Sequence, residues 1–104
     1  MQAELRIDSL PESPLDAASA FHRECVEKAH RVLGGDAESL VIVLPAAPSD
    51  HDDWRRAMAR DLGRKYAPKR VNLLGGGEAG AVDAMLAYLG AAPGITGQYL
   101  ALHD

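Results

Sequence analysis

The apolar positions of the chain include four short segments with the spacing of β-strands. Residues 3–8 alternate polar and apolar side chains, which predicts an edge strand with one face in water. Residues 40–44 are apolar without alternation, which is typical of a central parallel strand covered on both faces. Two further strands are predicted over residues 71–74 and, near the end of the chain, over residues 98–102.

A helix is predicted directly after the edge strand. Ser13 is an N-cap residue and Pro14 suits a first helical turn, so the helix begins there. Gly34 and Gly35 predict its end, with a left-handed backbone at the stop. Its apolar positions recur every three or four residues and form the face expected on the sheet: Ala18, Phe21, Cys25, Ala29, Val32 and Leu33.

Two more helices complete the pattern. The second runs from a cap at Ser49 or Asp50 to about residue 65, and Pro68 bounds it. The third covers about residues 78–89 and, after its first residue, carries Asp83 as its one charge. The stripe of the second helix that is predicted to be buried is Trp54, Met58 and Leu62.

This order of elements, βαβαβαβ, predicts an α/β fold. Strands that alternate with helices through short connections give right-handed crossovers and a parallel sheet with helices on both faces. We therefore expect a Rossmann-like three-layer domain with a four-stranded parallel sheet, formed by residues 1–104 as one unit.

Composition narrows the class of protein. The net charge of -4 at pH 7 argues against nucleic-acid binding. The one cysteine, Cys25, cannot close an internal disulfide, which favours a reducing compartment. The sequence shows neither a signal-peptide pattern nor an apolar run of membrane-spanning length. These features predict a cytoplasmic protein with no membrane partner and no nucleic-acid partner.

The C-terminal third carries residues of a known family. Residues 67–72 (Ala-Pro-Lys-Arg-Val-Asn), 81–89 and 94–100 (Gly-Ile-Thr-Gly-Gln-Tyr-Leu) together resemble the last third of a short-chain dehydrogenase/reductase. The resemblance implies that the chain corresponds to a truncated version of that fold, beginning near its fourth strand. It also implies association through the first two helices and through the last helix and strand.

The residues on which this family's chemistry depends are replaced. Counted back from residues 67–68, the family's Tyr-xxx-Lys pair falls on Pro48 and Asp52, which supply neither a phenol nor an ammonium. The serine expected after the second strand meets Pro-Ala-Ala at residues 45–47. The family's cofactor turn follows a first strand that has no counterpart here. We expect no catalytic residue, no enzyme activity and no cofactor.

A glycine motif lies between the third strand and the third helix. Gly75, Gly77 and Gly80 have the spacing of a dinucleotide-binding fingerprint. Glu78 would place a carboxylate near the pyrophosphate, so a structural turn is the favoured interpretation. The alternative is an anion or small ligand at the helix N-terminus.

The second helix concentrates the basic residues. Arg56, Arg60 and Arg64 recur every four residues and share one face. A solvated face with internal ion pairs is the favoured interpretation, and a surface for an acidic protein partner is the alternative. The pairs expected on this helix are Asp52 and Asp53 with Arg56, and Asp61 with Lys65.

Histidine and cysteine residues do not form a recognisable reactive site. His22, Cys25 and His30 share the first helix, but Cys25 lies on its apolar stripe, which favours an inert core thiol and no metal site. His51 lies among acidic residues at the start of the second helix, where the helix dipole stabilises carboxylates.

The third helix suggests the function. The four-stranded sheet covers one face of this helix, which is predicted to present Val82, Met85, Leu86 and Leu89 to it. The other side, which carries Ala81, Ala84 and Tyr88, therefore needs a partner. We expect a homo-oligomer whose interface includes Tyr88 or Tyr99. The predicted function is a non-catalytic interaction or oligomerisation module. The alternative is a small-ligand domain, for a nucleotide or acyl-CoA, that uses the loops after the second and third strands.

Overall fold

The computed structural model describes residues 1–102 and contains one parallel sheet with helices on both faces. The strands lie in chain order, so β1 and β4 form the edges. The predicted Rossmann-like α/β architecture is therefore confirmed. The elements are β1 Gln2–Arg6, α1 Pro14–Ala20, a π-helical segment Phe21–Cys25, α2 Val26–Leu33, β2 Ser39–Leu44, a 3-10 turn Ser49–His51, α3 Asp52–Tyr66, β3 Arg70–Gly75, α4 Ala79–Gly90 and β4 Tyr99–Ala101.

The two central strands divide the core into two layers. All six residues of β2 are buried, as expected of a strand covered on both faces. Leu40 and Ile42 pack in the layer beneath the first two helical regions, where they lie beside Val71 and Leu73 of β3. The alternate residues of β2, such as Val41, pack in the second layer under α4.

The first helical region contains a π-helical segment between α1 and α2. Ser13 caps the region as predicted, because its Oγ accepts the N–H of Asp16 at 3.1 Å. In a regular α-helix, each step of four residues turns the side chain by about 40°, so a stripe at that spacing drifts off the sheet. The wider π turn offsets the drift. The buried residues at this spacing are Ala17, Phe21, Cys25, Ala29 and Leu33.

The end of α2 corrects one prediction. Gly34 has a φ of -77°, so the expected left-handed stop is wrong. Its N–H still donates to the carbonyl of His30 at 2.9 Å, because the helical hydrogen bonding continues by one residue. The Lys69 ammonium then satisfies the carbonyls of Leu33 and Gly35, at 2.6 and 3.0 Å.

The start of α3 also differs from its prediction. The helix is entered through the 3-10 turn with Pro48 at the N-cap, and no side chain caps it. The predicted cap at Ser49 or Asp50 is therefore wrong, because the turn closes its own backbone bond from the His51 N–H to the Pro48 carbonyl at 3.0 Å.

The buried face of α3 is also rotated from its predicted position. Leu62 is buried as expected, whereas Trp54 and Met58 are half-buried at its margin. Arg55 lies at the centre of the buried face with an exposed fraction of 1%. Its side chain therefore belongs to the interior although its residue type predicts a surface position.

α4 packs alone on the second face of the sheet. Val82, Leu86 and Leu89 pack against β2 and β3, and the helices before it occupy the other face. Because the strands are parallel and in chain order, the β3-α4-β4 connection has the opposite hand to the two before it, and the prediction of right-handed crossovers throughout is wrong. Residues 91–98 give the chain the length to return to the sheet. No helix within residues 1–102 has the length and apolar character of a membrane span.

The segments that carry the family resemblance hold β4 beside β3. The Asn72 amide donates to the carbonyl of Ile95 at 3.0 Å and accepts the N–H of Gln98 at 3.1 Å. The Thr96 hydroxyl accepts the N–H of Val71 at 3.0 Å. These residues therefore satisfy the backbone of the sheet edge, a structural role within this fold.

Candidate functional site

The loops after β2 and β3 meet at the carboxyl edge of the sheet. The Gly76 N–H donates to the carbonyl of Leu44 at 3.0 Å. Gly76 has a φ of +68°, and a Cβ there would lie 2.8 Å from the Cβ of Ala46, so only glycine fits this close approach. Open α/β sheets bind ligands at this edge, which makes it the candidate ligand site of this fold.

Side chains of the same chain pack closely against the glycine turn after β3. A Cβ on Gly75 would overlap the ring and hydroxyl of Tyr99. Gly77 has a φ of +91°, and a Cβ on it would lie 2.8 Å from the Cβ of Leu102. Gly80 is exposed in the first turn of α4. Tyr99 and Leu102 therefore pack directly against Gly75 and Gly77, and these four residues help to line a pocket of about 420 Å³ at this edge.

His51 is buried at this edge and both of its ring nitrogens are engaged. The indole N–H of Trp54 donates to Nδ1 at 3.1 Å. Nδ1 is therefore the acceptor, and Nε2 carries the proton and donates to the backbone carbonyl of Glu12 at 2.9 Å. The ring ties the loop before α1 to the start of α3 and has no free nitrogen for acid–base chemistry.

Arg55 is the most unusual residue of the site. Its Nη1 donates to the Tyr99 hydroxyl at 3.2 Å, and its guanidinium carbon lies 5.4 Å from the Trp54 ring centroid and 5.7 Å from that of Tyr99. Its Nε is buried without a hydrogen-bond partner, and no ion pair formed within residues 1–102 includes it. Buried cations in proteins are normally paired, so this charge is incompletely compensated.

The positions that correspond to the family's reactive groups carry other chemistry. Pro48 is the N-cap of the 3-10 turn. Asp52 directs a carboxylate oxygen to Nη2 of Arg56 at 3.7 Å. The loop at residues 45–47 contains no hydroxyl or thiol group.

The basic face of α3 lines a groove. Arg56, Arg60 and Arg64 are exposed and border a space of about 540 Å³ together with residues 96–99. Arg56 pairs with Asp52 as predicted, and with Asp53 at 3.5 Å.

The remaining basic residues of this region have different roles from the predicted surface cluster. The expected ion pair of Asp61 with Lys65 does not form; the Lys65 ammonium lies 5.9 Å from the ring centroid of Tyr66 instead. Arg70 donates from Nη1 to two carbonyls at the end of α4, at 3.0 and 3.1 Å. Several of these cations therefore serve the fold.

Cys25 lies in the core, with an exposed fraction of 3%. Burial raises the pKa of its thiol, with the nearby Lys28 ammonium opposing the change. His22 is exposed, while His30 packs against Tyr66 with ring centroids 5.4 Å apart. In the part of the chain that the structure describes, no three His, Cys, Asp or Glu side chains are grouped to hold a metal ion.

The outer face of α4 carries almost no charge. Tyr88 is 57% exposed, and its exposed neighbours on this face include Ala84 and Ala87. Asp83, the one charged residue of the helix, has its Oδ1 3.8 Å from Nη2 of Arg6. Tyr99, the other expected interface residue, is half-buried because it lies over the glycine turn.

The architecture and this edge define an α/β domain of the Rossmann-like class. Residues 5–102 match the family described as SDR-like, short chain dehydrogenase-like protein. The chain belongs to this family, and the match extends the resemblance from the C-terminal third to nearly all of the sequence. Comparison with curated proteins and with solved structures finds no match.

Sequence reasoning missed the contact between Arg55 and Tyr99. A signal was present, because Arg55 precedes Ala59 by four residues and Leu62 by seven, which places all three on one helical face. Arg55 was nevertheless left out of the predicted buried stripe, because a charged residue is normally expected at the surface. The position of Tyr99 over Gly75 depends on the docking of β4 against β3, which no local pattern encodes.

Proposed function

We propose that this chain is a non-catalytic member of the SDR-like family and acts as an interaction module, forming a homodimer through the outer face of α4. The observation that carries the proposal is the composition of that face: Tyr88 is 57% exposed on a helix with a single charged residue. An exposed aromatic ring on a surface that lacks charge is typical of an interface core.

The replaced residues support the absence of catalysis. The family's phenol and ammonium would be needed to transfer and position a proton, and Pro48 and Asp52 provide neither group. His51, the buried base nearest to them in sequence, has both ring nitrogens engaged in hydrogen bonds. The loop at residues 45–47 provides no replacement hydroxyl.

The shape of the α4 surface supports a second copy as the partner. Small side chains at Ala84 and Ala87 allow another backbone to approach closely, and Tyr88 can then bury its ring while its hydroxyl stays hydrated. Closed two-fold association is the commonest arrangement for small soluble domains. The short edge strand β4 has unpaired backbone groups that the same partner would shield. The family resemblance implies association through the last helix and strand, as well as through the first two helices.

Light scattering coupled to gel filtration tests the homodimer. We expect the wild-type chain, of 11.1 kDa, to elute with twice that mass at micromolar concentration. Tyr88→Glu should give a mass of one chain, because it places a charge in a dry contact. Leu15→Glu is the matched comparison, because Leu15 is 82% exposed on α1, and survival of the dimer after its substitution assigns the interface to α4 and not to the first helix.

A wild-type mass of one chain, or a dimer unchanged by Tyr88→Glu, would refute this interface. The non-catalytic part has a separate readout. Trp54 is the single tryptophan, so binding of NADH at the sheet edge would transfer its fluorescence energy to the nicotinamide. We expect no saturable transfer at micromolar NADH or NADPH, and micromolar binding would contradict the proposal.

A further inference from the structure

A small cleft opens at the start of α3, away from the outer face of α4. It has a volume of about 260 Å³ and lies between the loop before α1 and the loop after β2. His51 and Arg55 line it from α3. The other lining residues are Leu10, Pro11, Glu12, Pro45, Ala46, Ala47 and Pro48.

Arg55 gives this cleft an incompletely compensated positive charge. The guanidinium is 99% buried, its Nε has no partner, and its one hydrogen bond to a side chain goes to the neutral hydroxyl of Tyr99. The faces of Trp54 and Tyr99 supply cation–π contacts, which compensate a buried charge only in part. A carboxylate is the group whose planar geometry fits the guanidinium fork.

The N-terminus of the helical run that includes α3 adds to the positive potential in the cleft. The 3-10 turn and α3 form an uninterrupted helical run from Ser49 to Tyr66, and no side chain caps its first residues. The positive end of the helix dipole and free backbone N–H groups therefore lie beside the cleft. Asp52 is engaged with Arg56, and Asp53 is fully exposed and paired with Arg56.

The walls of the cleft select among anions. Most lining residues are aliphatic or proline, and His51 has no free ring nitrogen to donate. A phosphate group would leave the apolar wall without a contact, whereas a carboxylate with a short hydrocarbon tail uses both the guanidinium and that wall. The volume of about 260 Å³ lies below the range of about 300–1,000 Å³ of drug-sized pockets, so the ligand is a small molecule; a cavity of about 150 Å³ already holds benzene.

We propose that this cleft binds a small organic carboxylate, with the carboxylate group against Arg55 and the hydrocarbon tail against the loop after β2. Glu12 lies at the exposed rim and forms no ion pair with Arg55 within residues 1–102, so the guanidinium stays available to a ligand carboxylate. None of the lining residues of the cleft lies on α4 or β4, so the site is distinct from the surface proposed for the homodimer, although Arg55 donates to Tyr99 of β4.

Titration of the full chain with acetate, butyrate, butyramide and inorganic phosphate at constant ionic strength tests the proposal. Trp54 contacts both Arg55 and His51, so its fluorescence and indole N–H resonance report on the cleft. We expect saturable changes with the carboxylates. Butyrate should bind more tightly than acetate, by up to about fourfold for each buried methylene. Butyramide, which lacks the charge, should produce no saturable change.

A matched pair of variants assigns the binding to Arg55. Arg55→Met should weaken butyrate binding by about tenfold or more, the effect of losing one hydrogen bond to a charged group. Arg60→Met removes the same charge from the exposed face of α3 and should leave butyrate binding unchanged within about twofold. Equal weakening in both variants would mean that net charge alone attracts the anion, and would overturn the proposal.

Two further results would overturn it. One is a response to phosphate and not to carboxylates; the other is no saturable response to any of these anions. Should Arg55→Met fail to fold, the wild-type chain still decides the question through the Nε–H resonance of Arg55. Butyrate must shift that resonance with the same saturation as the Trp54 indole, and an unchanged resonance refutes the contact.

Discussion

α3 and α4 lie on opposite faces of one sheet and bury similar inner faces, but their outer faces have opposite character. Eight of the 15 residues of α3 are charged, against one of the 12 residues of α4. The outer face of α3 is stable in contact with water, since its arginines are hydrated or paired. The outer face of α4 lacks such charges, which is why the homodimer is proposed there.

The inner faces of the two helices differ in one respect, the presence of a buried charge. α4 presents only aliphatic side chains to the sheet, whereas α3 presents a buried arginine between Trp54 and Tyr99. The charged helix therefore brings charge into the interior as well as to the surface. A charged side chain loses its hydration when it is buried, and this loss costs free energy. The buried position of Arg55 is therefore informative.

The largest expected effect concerns the inner faces, where the two helices should behave alike. Leu62→Ala in α3 and Leu86→Ala in α4 remove side chains with exposed fractions of 5% and 6%. Each should lower the free energy of unfolding by about 2–5 kcal/mol, through lost burial and the cavity left behind. Urea unfolding measures both. A loss below about 1 kcal/mol for either would show that its helix is loosely docked.

A smaller effect on the free energy of unfolding is expected for Arg70, whose side chain binds the end of α4. Arg70→Met removes the hydrogen bonds to the carbonyls at the end of α4 and should cost about 1–3 kcal/mol. Arg64→Met, in the exposed last turn of α3, is the matched control and should cost less than about 0.5 kcal/mol. Equal costs in urea unfolding would contradict the capping role of Arg70.

The smallest effect should come from the outer face of α3. Changing Arg56, Arg60 and Arg64 together to glutamine should alter the free energy of unfolding by no more than about 1 kcal/mol, because exposed ion pairs contribute little. Thermal unfolding at low and high salt provides the measurement. A loss of several kcal/mol would mean that the groove beside residues 96–99 depends on these charges, and the contrast with α4 would need revision.

The sequence predicted the elements whose signals are local. The uninterrupted apolar run of β2, the cap at Ser13 and the stop at Pro68 each depend on a few adjacent residues, and each is confirmed. The inner face of α4 was also predicted, because Val82, Leu86 and Leu89 keep a helical spacing.

The rest depended on contacts between elements. The face on which α4 docks, and hence the hand of its connection, is set by the packing of whole layers. The burial of Arg55 requires Tyr99 from a strand 44 residues further along the chain. The left-handed stop expected at Gly34 was wrong because a glycine allows that conformation without requiring it.

The chain order of the strands has a consequence for the folding reaction. No two of the strands within residues 1–102 form a hairpin: Gln2 pairs with Ser39, Ser39 with Arg70 and Leu73 with Tyr99. Each pairing closes a long loop, so its entropic cost precedes any gain from the ladder. A nucleus must therefore contain a helix together with both strands that flank it. β2 and β3 belong to two such units each, and a nucleus built on the β2-α3-β3 unit would leave both edge strands to join last.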